Sequence, residues 1–169
     1  VALLLVLLGV VIGVGVSQAW RVFGHRGHNH PPDALTGLPL RAEAHAALRA
    51  LRAGDAVVML DVDELKRIND TQGHAAGDAL LTAVASHLSG GVRTQDTVAR
   101  WGGDEFLIVL RGGAGAAGAV VERLRRTAST AFSAGIAVHE SGDADATLAR
   151  ADAALLAAKR AGGRCVMTG

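Results

Sequence analysis

Trp101-Gly102-Gly103-Asp104-Glu105-Phe106 is the stretch on which the reading of this chain turns. Its glycine pair separates two apolar runs, Thr97-Val98-Ala99 before it and Phe106-Leu107-Ile108-Val109-Leu110 after it. Apolar runs of that length flanking glycines predict a β-hairpin, with the glycines supplying positive φ at the turn. Asp104 and Glu105 ride on that turn, and a carboxylate pair there cannot be core. An isolated acidic turn reads as a solvated loop. A second one shifts the balance: Asp61-Val62-Asp63 ends another buried-type strand, Ala56-Val57-Val58-Met59-Leu60. Two strand-end carboxylate clusters in one small domain point to a divalent-cation site for a phosphorylated substrate, since hard cations such as Mg²⁺ take oxygen ligands.

Outward from these two strands the pattern alternates. Residues 40–51 carry apolar side chains at helical spacing, 57–61 are strand-like, and 63–71 form a short helix or turn. A second amphipathic helix is predicted over 78–88, with Asp78 near its start. After the hairpin come a helix over 120–128, a strand over 131–138 and a closing helix over 145–160. Gly112-Gly113-Ala114-Gly115 is a flexible connection; it lacks the Gly-Lys-Ser/Thr ending of a phosphate-binding loop. Strand–helix alternation around one central hairpin predicts an α/β-type fold with helices layered on a mixed sheet.

Composition narrows the function classes. At 169 residues the chain is one domain plus appendages. A net charge of +1 gives no argument for nucleic acid, and two Trp and three Phe leave little for base-stacking platforms. The single cysteine, Cys165, excludes an internal disulfide and reads as an ordinary free thiol.

Several further motifs, in order, carry a family resemblance. Asp33-Ala34-Leu35-Thr36-Gly37-Leu38-Pro39-Leu40-Arg41 resembles D-x-L-T-G-L-x-N-R. Asp61-Val62-Asp63-Glu64-Leu65-Lys66-Arg67-Ile68-Asn69-Asp70 resembles D-x-D-x-F-K-x-x-N-D, and Gly73-His74-Ala75-Ala76-Gly77-Asp78 resembles G-H-x-x-G-D. The signature itself, then Phe132-Ser133-Ala134-Gly135-Ile136-Ala137, then Ala151-Asp152 with Ala158-Lys159, complete the set. Residues 33–169 thus resemble a GGDEF domain of the diguanylate cyclase family. Leu40, Leu65 and Leu156 replace the usual Asn, Phe and Tyr, exchanges that are apolar or peripheral. Lys159-Arg160-Ala161-Gly162-Gly163-Arg164 holds one residue more than the usual K-x-x-G-R, leaving either Arg160 or Arg164 as the phosphate arginine.

The resemblance implies a ferredoxin-like palm of the nucleotidyl cyclase type, of α/β (α+β) class. It implies condensation of two GTP into cyclic di-GMP with release of two pyrophosphates, each step an attack of a ribose 3′-hydroxyl on an α-phosphate. Asp61 and Asp104 would hold Mg²⁺, or Mn²⁺ in its place, with the Val62 carbonyl as a third oxygen. Asp104 or Glu105 would take the hydroxyl proton. Backbone N–H groups of Glu64, Leu65 and Lys66 open a helix and can bind phosphate at its positive end, while Lys66 and Lys159 supply charge. Asp78 can accept from guanine N1–H and the 2-amino group, with Asn69 completing the edge. Adenine would leave that carboxylate unpaired, a discrimination on the order of 10⁴-fold. The plain alternative for Asp78 is a helix N-cap. Arg93 and Asp96 match the family's R-x-x-D inhibitory product site, or else form a surface ion pair. A symmetric dinucleotide made by a domain with one triphosphate site implies a homodimer. The competing functional reading is a non-catalytic module that binds GTP or cyclic di-GMP and signals through a partner protein.

Val1 to Val16 contains only Val, Ala, Leu, Ile and Gly. Extended to Trp20, it would span roughly 30 Å as one transmembrane helix. Trp20 and Phe23 fall where an aromatic belt belongs, and Arg21 and Arg26 follow, which orients the next domain to the cytoplasm. Ser17-Gln18-Ala19 would also serve as a signal-peptide cleavage site, but that places the domain where a nucleoside triphosphate is scarce. The expected organisation is a membrane anchor over 1–20, a polar linker over 21–32 and the GGDEF domain over 33–169, attached to the inner membrane. His25, His28 and His30 in the linker match no standard zinc spacing.

Overall fold

β1, Ala56–Val62, is the axis of the fold in the computed structural model, which describes residues 31–169. All seven of its residues are buried, because helices cover both faces and the strand therefore reads as a continuous apolar run. The described elements are α1 (Arg41–Arg49), β1, α2 (Leu65–Gln72), α3 (His74–Gly90), β2 (Thr97–Arg100), β3 (Glu105–Leu110), α4 (Ala117–Thr127), β4 (Phe132–Val138), α5 (Ala144–Arg160) and β5 (Val166–Thr168). The sheet order is β2-β3-β1-β4-β5. β1 runs antiparallel to β3 and β4, β2 antiparallel to β3, and β5 parallel to β4. The four antiparallel strands with their crossover helices make the β-α-β-β-α-β arrangement, to which β5 adds one edge. The result is an α/β fold with a mixed sheet, as the alternation of periods implied.

Side-chain alternation along β1 divides the core. Val58, Leu60 and Val62, with Phe106, Ile108 and Ile136, pack against Leu81, Leu88, Val121 and Leu124 of α3 and α4. Val57 and Met59, with Leu107, Val109 and Ala137, pack against Ala44 and Leu48 of α1 and Ala151 and Leu155 of α5. Phe106 is fully buried, and truncating such a ring to Ala costs about 3–5 kcal/mol. At period two, Asp61 continues the Val57–Met59 face and so lies beneath the C-terminal end of α5. Gly135 brings that helix close: a Cβ there would meet the Ala151 carbonyl oxygen at 2.1 Å and the Leu155 nitrogen at 2.2 Å.

The hairpin forms where the glycine pair predicted it, but not by the expected backbone. Neither Gly102 nor Gly103 has positive φ. Trp101 and Gly102 both donate their N–H to the Glu105 carbonyl, and Arg100 donates to the carbonyls of Gly102 and Gly103. A Cβ on Gly102 would approach the Glu105 Oε2 at 2.9 Å, so that glycine leaves room for a carboxylate. α3 begins at His74, after Gly73 at φ 86°, rather than near Asp78. The expected anchor over 1–20, and the linker as far as residue 30, lie outside the described residues. Among the described residues no helix is long and apolar enough to cross a membrane.

Candidate active site

The ladder brings the two acidic clusters together. Asp61 stands opposite Glu105 in the β1–β3 register, and the Val62 N–H donates to the Asp104 carbonyl at 3.1 Å. Asp61 and Val62 are therefore strand residues paired on both sides rather than a turn following the strand. From the last turn of α5, Lys159 reaches Asp61 Oδ2 at 2.6 Å. A pocket of about 350 Å³ is lined by Asp61, Val62, Asp104, Lys159 and the opening of α2 at Glu64, Leu65 and Lys66.

Its charge is unbalanced. Burial pushes the Asp61 carboxyl above its ordinary range, and the neighbouring charges of Asp104 and Glu105 push the same way; the bond to Lys159 opposes them and does not prevail. For Lys159, burial pulls downward, but the Asp61 hydrogen bond and the charges of Asp61, Asp104 and Glu105 outweigh it, and its pKa is raised. The two shifts agree once all the charges are included: three carboxylates gather around one ammonium. Such a site has room electrostatically for a further cation. Among the described residues no three His, Cys, Asp or Glu side chains cluster as a metal cage. The oxygen donors at hand are the carboxylates of Asp61 and Asp104, with Val62 beside them in the lining. That sparse all-oxygen set fits Mg²⁺, which takes one or two protein carboxylates and completes its shell with water and substrate phosphate.

α2 opens with Glu64 at φ 64° and no side chain capping its first turn, so the N–H groups of Leu65 and Lys66 at the pocket face a phosphate-compatible positive end. Asn69 and Asp78 lie away from this pocket, at the crossing of α2 and α3. There a Cβ on Gly77 would overlap Asn69 Oδ1 at 1.9 Å, and that oxygen is buried without a partner. Asp78 is exposed, one turn inside α3 whose N-cap is Gly73. It therefore caps nothing, and the helix-cap alternative is removed.

Arg93 and Asp96 are at the other end of the sheet, before β2. Asp96 spends its carboxylate on the backbone, accepting from the N–H of Arg93 and of Arg111, both at 2.9 Å. Arg93 is exposed. The structure does not make them an ion pair with each other.

Arg100 was not legible from spacing, and between Arg160 and Arg164 the spacing could not choose. Arg100 binds Asp33 at 2.8 Å while holding both glycine carbonyls of the signature turn. Asp33 is half-buried, which lifts its carboxyl, yet hydrogen bonds from Thr36 and the Arg100 contact outweigh this and hold it low. The opening motif is thus a brace for the signature hairpin. Gly162, Gly163 and Arg164 all take positive φ, and this left-handed run absorbs the additional residue. The Arg164 N–H is held by Asp63 Oδ2 at 3.0 Å and Ser133 Oγ at 2.9 Å, and its guanidinium reaches Glu64 at 2.6 Å on the pocket rim. Arg160 ends α5 exposed.

Fold and pocket together define an α/β domain with an acidic, lysine-bearing pocket at one end of its central strand. A family model, diguanylate cyclase GGDEF domain, matches residues 32–165, and the chain belongs to the GGDEF family. Diguanylate cyclase DgcP of Pseudomonas aeruginosa is 41% identical over 151 residues, covering 77% of this chain and 22% of DgcP. Diguanylate cyclase TpbB of the same species is 38% identical over 159 residues, covering 80% of this chain and 36% of TpbB. The chain thus spans about a third or less of these relatives' lengths. A solved microbial GGDEF domain, described in a novel interaction mode with cyclic di-GMP, superposes with a TM-score of 0.75 at 38% identity, over 82% of this chain and 98% of that one.

Proposed function

We propose that this chain is a diguanylate cyclase, condensing two GTP into cyclic di-GMP and two pyrophosphates. The observation that carries the reading is the pocket that brings Asp61, Val62 and Asp104 together with Lys159 and the opening of α2. Asp61, Val62 and Asp104 are the residues to hold Mg²⁺, or Mn²⁺ in its place; bound there, the ion neutralises triphosphate charge. Leu65 and Lys66 N–H groups and Lys159 bind phosphate oxygens and orient the α-phosphorus toward the incoming 3′-oxygen. Asp104 or Glu105 accepts the hydroxyl proton as the new ester bond forms and pyrophosphate leaves. Asn69, with its unpartnered buried oxygen, and Asp78 read the guanine edge.

One pocket binds one GTP, so two copies meet face to face, each 3′-hydroxyl directed at the other's α-phosphate. Residues 1–20 would tether the copies to the inner membrane with the domain in the cytoplasm, raising their effective concentration. Arg93, with Asp96 setting its turn, is assigned to product inhibition. Incubation of the full chain with GTP and Mg²⁺, followed by mass spectrometry, is expected to yield cyclic di-GMP and pyrophosphate, at a specific activity that rises with protein concentration. Recovery of bound but unchanged GTP would replace this reading with a non-catalytic nucleotide-binding module.

A further inference from the structure

Trp101 follows β2 directly and opens the signature turn, and it has no part in the pocket at Asp61. A second cavity of about 420 Å³ lies beside it, lined by Arg100, Trp101, Gly102 and Gly103 of the hairpin, by Asp33 and by the start of α1. The turn is the common wall of the two cavities: Asp104 lines the first, and the two glycines before it line the second. We infer that the second cavity is a further nucleotide subsite, in which Trp101 and Arg41 receive the GTP presented by a second copy of the chain while the first pocket holds the copy's own. This assignment rests on the reading of the chain as a cyclase that joins two GTP across a dimer.

The lining has the chemistry of a purine nucleotide site. Trp101 is half-buried and packs against the core cluster beneath α1. His45 meets its ring with centroids 5.0 Å apart, so the indole is held in place. The Arg41 guanidinium lies over the same ring, 4.4 Å from its centroid. Arg41 is exposed and, among the described residues, makes no hydrogen bond or ion pair. Asp33 and Arg100 neutralise each other at 2.8 Å, which leaves Arg41 as the uncompensated charge of the lining. An exposed cation–π contact is weaker than the stacking of a base on an aromatic ring. A purine therefore displaces the guanidinium from the indole, and the freed guanidinium takes the phosphate of the same nucleotide. Leu40, the N-cap of α1, brings no acceptor. The N–H groups of Arg41 and Ala42 accordingly find no acceptor among the described residues and stand open to that phosphate. Position selects the partner's nucleotide over any other. The second GTP must come up to the signature turn to meet the first, and this cavity flanks the turn on the side that the first GTP leaves free.

Trp101 is its own reporter. The sequence holds two tryptophans, so Trp20→Phe leaves Trp101 as the sole indole emitter. A reporter copy of the full chain, Trp20→Phe with Lys159→Gln to weaken its own first pocket, is mixed with a donor copy, Trp20→Phe/Trp101→Phe, which has no indole. The nucleotide is 3′-deoxy-GTP, which lacks the attacking hydroxyl, with Mg²⁺. Emission is expected to change little for the reporter alone and to be quenched once the donor is present. Arg41→Gln in the reporter should raise the donor concentration for half-quenching about 3- to 10-fold. In turnover of GTP, Trp101→Leu should lower product formation about 5- to 100-fold, the range for a lost base stack. Trp101→Phe keeps an aromatic face and should recover most of it. Thermal melts verify folding, and unchanged calorimetric binding of 3′-deoxy-GTP by Trp101→Leu verifies the first pocket. Quenching of the reporter alone to the same depth overturns delivery by a second copy. An unquenched mixture, where the donor binds the nucleotide and wild type forms product, overturns the subsite and leaves the cyclase reading standing. Quenching in the mixture by a chain that forms no cyclic di-GMP sustains the subsite and ends the cyclase reading.

Discussion

Asp55 and Asp61 stand at opposite ends of the central strand, equally hidden and oppositely disposed. They are 4% and 6% exposed. Asp55 accepts the N–H groups of Arg52 at 3.0 Å and Gly112 at 2.7 Å, and the Arg111 guanidinium at 2.7 Å. Burial lifts its carboxyl, but these donors outweigh burial and hold the pKa below the ordinary value of 3.8. Asp61 has one donor, Lys159, and two further carboxylates nearby; its pKa is raised. Burial alone therefore does not distinguish a satisfied carboxylate from an unsatisfied one. The number of donors does: Asp55 is satisfied by its own chain, and Asp61 is left needing something the chain does not supply.

Turnover should break the symmetry most strongly. Asp61→Ala and Asp104→Ala are each expected to lower the cyclase rate ~10²-fold or more, since losing even a hydrogen-bond partner of a metal ligand costs about 10–100-fold; a steady-state pyrophosphate assay measures it. Near-normal turnover in either variant would end the contrast. Stability should break it in the reverse sense. Asp55→Asn is expected to cost about 2–4 kcal/mol by leaving a partly buried guanidinium and two N–H groups poorly paired, a fall in Tm of roughly 10 °C. Asp61→Asn, without metal at pH 7, should be neutral or stabilising by up to about 1 kcal/mol.

The pH dependence sharpens this. A carboxyl lowered in the fold contributes stability above its unfolded pKa and loses it as pH falls through the folded one, so the Asp55→Asn penalty should vanish in acid, below 3.8. A raised carboxyl favours the fold below its unfolded pKa and loses that contribution as pH rises through the folded value. Any gain from Asp61→Asn should therefore appear only above 3.8 and grow toward neutrality. Urea unfolding at a series of pH values reads both, and parallel curves for the two variants would refute the distinction. The smallest effect concerns the Asp55 end. Arg93→Ala should leave the uninhibited rate within about twofold and relieve inhibition by added cyclic di-GMP. Asp96→Ala should instead cost ~1 kcal/mol of stability, because its carboxylate holds the N–H groups of Arg93 and Arg111. Unchanged inhibition of Arg93→Ala would return that side chain to plain surface charge.

What the sequence disclosed was whatever a local period or a short motif encodes. The Thr97–Leu110 hairpin and β1 stood out as apolar runs, and Asp61, Val62, Asp104, Lys66 and Lys159 do line one pocket. Features made by distant pairing stayed hidden. β5 is three residues long and exists by joining β4 in parallel, so no periodicity announces it. Arg100 meets Asp33 across 67 residues. Periodicity puts the start of α3 too late because its first long apolar side chain is Leu80, whereas the backbone turns into the helix at Gly73. The turn glycines mark the right place for a different reason: Gly102 spares volume beside Glu105 instead of supplying a left-handed twist.

The contact at Gly135 turns a core detail into a tolerance on the chemistry. With the Ala151 oxygen only 2.1 Å from where a methyl would stand, Gly135→Ala must lift α5 from the sheet by about 1 Å or more to restore ordinary contact. Lys159 travels with that helix, and its 2.6 Å bond to Asp61 has little slack. A position with no functional group thus acts as a gauge block, setting the spacing at which an ammonium and a carboxylate meet. Sequence drift there would be felt as mistuned charge in the pocket as well as in the packing of helix on sheet.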